Sequence, residues 1–138
     1  MSDSKKVFLG GTCNNSAWRH ELISKLAIDF FNPIVKDWNE AAQQEEIKQR
    51  KLCDYVLYTI TPRMTGVYSI AEVVDDSNKQ PEKTILCILD SDIDNMYQEI
   101  IFDPHAVKSL RSVAKMVSDN GARVFYTLET VAQYLNGF

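Results

Sequence analysis

Residues 55–60, Tyr-Val-Leu-Tyr-Thr-Ile, are nearly all apolar or β-branched. A run without polar alternation reads as a strand buried on both faces, the setting of a central strand in a parallel sheet covered by helices. The segment therefore belongs in the middle of a sheet. It ends in Thr61-Pro62-Arg63-Met64-Thr65-Gly66, where Pro and Gly stop the strand, and a helix over 68–77 follows.

The rest of the chain alternates around it. Val7-Phe8-Leu9 predicts a strand ending at Gly10-Gly11, then a polar loop 12–16, then a helix with apolar positions at Trp18, Leu22, Ile23, Leu26 and Ala27. Pro33-Ile34-Val35 predicts a short second strand running into Lys36-Asp37-Trp38-Asn39, and residues 40–51 an exposed helix with one thin buried stripe. Thr84 to Leu89 is a fourth strand. Asp103-Pro104 supplies an N-cap acid and a Pro at the first helical position, after which Val107, Leu110, Val113, Ala114 and Val117 keep helical spacing until Gly121. Val124-Phe125-Tyr126 is a fifth strand, and Thr127 can cap a last helix carrying Val131 and Leu135.

Five strand–helix alternations with short connections imply an α/β fold: a flavodoxin-like (Rossmann-like) three-layer sandwich with a five-stranded parallel sheet. A single domain over residues 1–138 is expected, since the length suits one core and no linker, repeat or low-complexity segment divides it. The net charge of -4 argues against a phosphate-backbone binder, so a small molecule and not a nucleic acid is the expected partner. No apolar run is long enough for a bilayer, and the start MSDSKK lacks the apolar stretch of a signal peptide, so a cytoplasmic location without membrane association is expected. Cys53 and Cys87 fall beside or within apolar runs and read as core, whereas Cys13 reads as filler in a tight polar turn.

In open parallel sheets the ligand lies beyond the carboxyl ends of the strands, which selects the loops 10–16, 36–39, 61–67 and 90–95. His20 and His105 fall in helices outside them, leaving no basis for a His-centred triad. Asp90-Ser91-Asp92-Ile93-Asp94 lacks the Gly and terminal Glu of a calcium loop and reads as a solvated loop; Gly10-Gly11 lacks the Lys or third Gly of a phosphate loop. No metal or cofactor is expected. Two carboxylates remain, Asp37 after the second strand and Glu72 early in the helix after the third, and by pattern alone Glu72 could simply complement the helix dipole.

The stretch from Cys53-Asp54 through Thr61-Pro62-Arg63-Met64-Thr65-Gly66 to Ser69-Ile70-Ala71-Glu72, following Leu9-Gly10-Gly11-Thr12 and Asn32-Pro33-Ile34-Val35-Lys36-Asp37-Trp38, resembles the nucleoside 2-deoxyribosyltransferase-like family over most of the chain. The resemblance implies an enzyme acting on the N-glycosidic bond of a nucleoside or nucleotide, with Glu72 as nucleophile. It makes Asp37 the group that contacts or protonates the base, with Glu46 as second candidate, placed by its spacing before Asp54. Trp38 would stack on the base. Gly11 and Thr12 join the substrate-binding positions, and Thr65, Gly66 and Ser69 would hold the sugar or a 5′ substituent.

Two departures stand out. The transferases carry a tyrosine in the first strand and an aspartate six residues before the glutamate, where this chain has Phe8 and Gly66; Tyr68 is the candidate to replace the lost hydroxyl. The resemblance also implies a homodimer or larger oligomer in which a neighbour completes the site, with Phe138 and Asn95 as loose counterparts of the residues involved. Transfer to a second base is the leading expectation. The alternatives are an N-glycoside hydrolase of nucleosides or their 5′-monophosphates, with Arg19, Arg63 and Ser69 as phosphate contacts, and a non-catalytic nucleotide sensor. A phospho-accepting receiver fails because Thr59 occupies the aspartate position and Gly10-Gly11 replaces the acidic pair, and a flavin carrier is only faintly echoed by residues 12–16.

Overall fold

The computed structural model describes residues 5–13, 16–34, 39–93 and 96–137. In chain order the elements are β1 (Lys6–Gly11), α1 (Trp18–Ile23), β2 (Asp29–Phe31), α2 (Glu40–Leu52), β3 (Tyr55–Ile60), α3 (Tyr68–Lys79), β4 (Thr84–Ile88), β5 (Ser91–Ile93), β6 (Glu99–Ile101), α4 (Pro104–Asp119), β7 (Arg123–Phe125) and α5 (Leu128–Asn136). The main sheet is all-parallel with strand order β2-β1-β3-β4-β7, and β5 and β6 form a separate antiparallel pair. This is the expected α/β sandwich of the flavodoxin-like type, with β3 at its centre.

Successive side chains of a strand face opposite layers. Phe8, Val56, Tyr58, Ile60 and Leu86 pack with Val73 of α3 and Leu110, Ala114 and Val117 of α4. Val7, Leu9, Leu57, Ile85 and Cys87 pack on the other face with Trp18 and Leu22 of α1 and Val131 and Leu135 of α5. Burying each such aliphatic side chain contributes roughly 1.5–3 kcal/mol. A one-residue slip of β3 would exchange Leu57 for Tyr58 between layers, so the register is strongly held. It directs the Tyr58 ring toward α3, where the site lies.

Four local expectations are corrected. The second strand is Asp29–Phe31, ahead of Pro33: Pro has no N–H to give a ladder, whereas Phe31 stacks on Phe8 with ring centroids 5.8 Å apart. Val35 of the expected strand lies outside the described residues. Helix α1 stops at Ile23 instead of continuing to Ala27, because i→i-3 bonds from Lys25 N to Leu22 O and Leu26 N to Ile23 O tighten its end. There Asn136 of α5 accepts from Ala27 N at 2.7 Å and donates to Lys25 O at 2.9 Å. Residues 91–93 form strand β5 rather than a solvated loop, and Asp92 within it is buried. Helix α2 has no fully buried residue; Ala42, Glu46, Gln49 and Arg50 are half-buried, so its inward stripe is largely polar.

The predicted caps form. Asp103 accepts from Ala106 N at 2.9 Å ahead of Pro104, and Thr127 accepts from Thr130 N at 3.1 Å. Cys53 and Cys87 are buried, and burial pushes the Cys87 thiol up to about 12. Among the described residues no helix is long and apolar enough to cross a membrane.

Candidate active site

Strand β1 lies between β2 and β3, so the strand order reverses at its carboxyl end, where a ligand crevice is expected. A cavity of about 510 Å³ opens there. Gly10 and Gly11 of β1 form its floor, Gln43, Glu46, Ile47 and Arg50 line it from α2, and Tyr68, Ser69 and Glu72 line it from α3. The volume suits a ligand of nucleoside size.

The glycine pair serves backbone packing. Gly11 has φ +115, and a Cβ on it would lie 2.1 Å from Thr59 O; a Cβ on Gly10 would lie 2.8 Å from the Tyr58 ring. The strand ends are then tied together. Thr12 N donates to Thr59 O and Thr12 Oγ1 accepts from Thr61 N, both at 2.9 Å. Arg19 donates Nε to Leu9 O at 3.0 Å, Nη1 to Thr12 O at 2.5 Å and Nη2 to Gly11 O at 3.3 Å. Burial lowers the Arg19 pKa from its ordinary value, while Cys13, whose Sγ lies 3.9 Å from Nη2, and Glu46 work against that shift.

Glu72 lies in the second turn of α3 with a relative exposure of 9%. Burial pushes its carboxyl up to about 7; Arg50 opposes the shift, while Glu46 and Asp76 add to it. Glu46, half-buried in α2, is also raised by burial, against the pull of Arg50 and Arg19. Two carboxyl groups with elevated pKa values therefore line one cavity.

Behind Glu72 stands a group that sequence reasoning missed. Arg50 Nη1 is 3.5 Å from Glu72 Oε2. The same guanidinium grips Asp76 with Nε at 3.0 Å from Oδ2 and Nη2 at 3.0 Å from Oδ1, and its Nε also meets Tyr58 Oη at 2.8 Å. Tyr58 in turn donates to Asp76 Oδ2 at 2.5 Å. Burial works against the Arg50 charge, but the hydrogen bonds to Asp76 and the neighbouring charges outweigh it, holding its pKa above the ordinary value. The only sequence signal was helical spacing: 43, 46, 47 and 50 share one face of α2, as do 72 and 76 of α3.

A second cavity of about 210 Å³ adjoins the first and shares Gly11, Cys13, Tyr68 and Ser69 with it. Thr12, Thr65 and Gly66 complete its polar side. Among the described residues no cluster of three or more His, Cys, Asp or Glu is placed to hold a metal ion.

The profile of the family described as nucleoside 2-deoxyribosyltransferase like matches residues 4–91, a span that includes both α2 and α3. The chain belongs to that family. Searches of curated proteins and of solved structures gave no significant match.

On this deoxyribosyltransferase-like scaffold the structure brings Gly11, Glu46, Tyr68, Ser69 and Glu72 to the main cavity, and Thr12, Thr65 and Gly66 to the adjoining one. Asp37 and Trp38 lie outside the described residues, as do Asn95 and Phe138. Tyr68 is 73% exposed at the cavity mouth, whereas the phenol that meets the Glu72 counter-ion is that of Tyr58. Arg19 lines the main cavity with its donors engaged on carbonyls; Arg63 lines neither cavity and donates Nη2 to Gln98 O at 2.9 Å.

Proposed function

We propose that this protein cleaves the N-glycosidic bond of a (deoxy)nucleoside through a covalent glycosyl-Glu72 intermediate and transfers the sugar to another base. The observation that carries this reading is Glu72 itself: a nearly buried carboxyl facing a nucleoside-sized cavity, with a second carboxyl, Glu46, on the facing helix. Leaving-group departure builds positive charge at the anomeric carbon, which an adjacent carboxylate stabilises and captures.

In the first half-reaction Glu72 Oε forms a bond to the anomeric carbon as the C–N bond breaks. The bonding electrons pass to the base, which takes a proton from an acid on the other side of the cavity. Glu46, which lines that cavity from α2, is the candidate, and burial raises its pKa above the ordinary value, which favours the protonated form. Asp37 is the second candidate. In the second half-reaction a nitrogen of the incoming base attacks the anomeric carbon as the ester bond breaks, Glu72 leaves as carboxylate, and the N–H proton of that base passes back to the deprotonated acid. Gly11, Tyr68 and Ser69 line the route of the sugar, and Trp38 is proposed to stack on the base.

The adjoining cavity favours a second reading, hydrolysis of a nucleoside 5′-monophosphate. Thr12, Thr65, Gly66 and Ser69 offer hydroxyl and backbone groups next to the start of α3, a suitable place for a 5′ substituent. Oligomerisation fits the exposed Val67 and Tyr68 beside the cavity mouth. Incubation with deoxyinosine, deoxycytidine or their 5′-monophosphates, with and without adenine, followed by chromatography, separates the readings. New nucleoside only with adenine supports transfer, free base without adenine supports hydrolysis, and no product with saturable binding leaves a sensor.

A further inference from the structure

Behind Glu72, side chains from three different elements converge on one guanidinium. From α2, Arg50 directs Nε and Nη2 onto Asp76, which leaves Nη1 for Glu72. From α3, Asp76 lies one turn beyond Glu72 and is 4% exposed. From β3, the Tyr58 hydroxyl bridges the Arg50 Nε and the Asp76 carboxylate. The Tyr58 ring is itself fixed against β1, tilted on Phe8 at 6.4 Å and occupying the space that a Cβ on Gly10 would take.

A planar guanidinium held bidentately has little rotamer freedom left, so its remaining N–H group points in one direction. We infer that Arg50, locked by Asp76 and Tyr58, is the positioning residue that orients the Glu72 carboxylate and keeps it ionised for attack. The inference rests on the reading of Glu72 as nucleophile. A purely structural Arg50–Asp76 pair would join α2 to α3 equally well without any approach to Glu72; the contact at 3.5 Å is what adds the link to the cavity.

The charges around Glu72 explain why one cation matters. Helix α2 presents Glu46 and Arg50, α3 presents Asp76 and, through Arg50 Nη2 at 3.6 Å, Asp75, and β3 presents Tyr58. Arg19 of α1 acts on Glu46, and β1 contributes Phe8, Gly10 and Gly11, none of them titratable. Arg50 is thus the one cation acting on Glu72 among the described residues, against the two carboxyl groups of Glu46 and Asp76. An opposite charge at this distance holds a carboxyl pKa down by about one to three units.

The test is Arg50→Gln in the full-length protein, read in two ways. Carboxyl carbon NMR titration of ¹³C-glutamate-labelled protein, with the Glu72 resonance assigned by its loss in Glu72→Gln, reports the charge directly. The pH dependence of base release reports its use. The Glu72 midpoint is expected to rise by about one to three pH units, the pH–rate profile to move to higher pH with it, and kcat to fall by about a hundredfold with KM little changed. Arg50→Lys, which keeps the charge and loses the fork, should restore the midpoint and only part of kcat.

An unchanged midpoint in a folded Arg50→Gln protein overturns the inference even if the wild type is active. A shifted midpoint in a protein with no glycosidic activity sinks the nucleophile reading and leaves Arg50 as the group that sets the Glu72 charge. Should Arg50→Gln fail to fold, Tyr58→Phe removes one oxygen and carries the test. A smaller rise in midpoint with reduced kcat supports the inference, and no change in either overturns it.

Discussion

Arg50 Nη1 stands 3.5 Å from Glu72 Oε2, and the Glu72 side chain is only 10% exposed. The pair does not bring the Glu72 carboxyl to an ordinary pKa, because burial outweighs the attraction and Glu46 and Asp76 add their repulsion. Glu72 therefore titrates near neutrality, where a group can be an anion for attack on one side of its midpoint and a protonated acid on the other.

Glu72→Ala should abolish base release or exchange, with kcat falling by at least about a thousandfold, since no other group replaces the covalent step. Circular dichroism should show the fold retained. Activity that survives this substitution unchanged rules out the proposed mechanism.

The pH–rate profile should be bell-shaped. Glu46 and Glu72 titrate as a coupled pair, and the reactive form carries one proton between them. One of the two limbs should lie near the Glu72 value of about 7, and the alkaline limb falls where the last proton of the pair is lost. Glu46→Gln should lower the rate and remove that limb, leaving a simple rise as Glu72 ionises. A bell that persists in Glu46→Gln would assign the acid elsewhere, with Asp37 next to be tested.

Glu72→Gln should stabilise the protein in a pH-dependent way. The folded-state carboxyl sits at about 7 against an ordinary 4.5. Below about pH 4.5 folded and unfolded chains both hold the proton and nothing is lost. Between 4.5 and 7 the unfolded chain releases its proton first, and the folded state is penalised. At 1.36 kcal/mol per pH unit the full penalty is about 3 kcal/mol above pH 7. Urea unfolding should show the variant ahead by about that much at pH 8 and by almost nothing at pH 4.5; an equal gain at both values would contradict the buried-carboxyl picture.

Gly11→Ala should destabilise by at least about 2 kcal/mol, because the backbone has φ +115 and the new Cβ would meet Thr59 O at 2.1 Å. The loss should appear as a lower urea midpoint and should be accompanied by reduced activity, since the β1 and β3 ends form the cavity floor.

Asn136→Ala should cost about 1–2 kcal/mol by removing both bonds to the end of α1, at Ala27 N and Lys25 O. Activity at low temperature should be unaffected, because this contact lies in the opposite layer from Glu72.

Much of the frame was legible in the chain. The unbroken apolar run of β3, the Asp103-Pro104 start of α4 and the Thr127 cap of α5 are local signals, and they appear where expected. What failed locally failed for tertiary reasons. Residues 33–35 read as a strand by composition, but the ladder formed at 29–31 because Phe31 could stack on Phe8. Helix α1 ended early where Asn136, 109 residues away in sequence from Ala27, meets its last turn.

The same division holds at the site. The residue pattern alone placed Glu72 early in a helix at the carboxyl edge of the central strand, and the fold puts it there. The family resemblance added Glu46 as an acid. Neither singled out Arg50, Tyr58 or Asp76: a polar helix face, a strand aromatic and a mid-helix acid each have an ordinary local explanation. Only the folded chain decides that these three converge, because the register of β3 turns Tyr58 toward α3 and the packing of α2 brings Arg50 across 26 positions to Asp76. Helical and strand periods are written in neighbouring residues; desolvation and charge pairing belong to the space between elements, and they set what the Glu72 carboxyl can do.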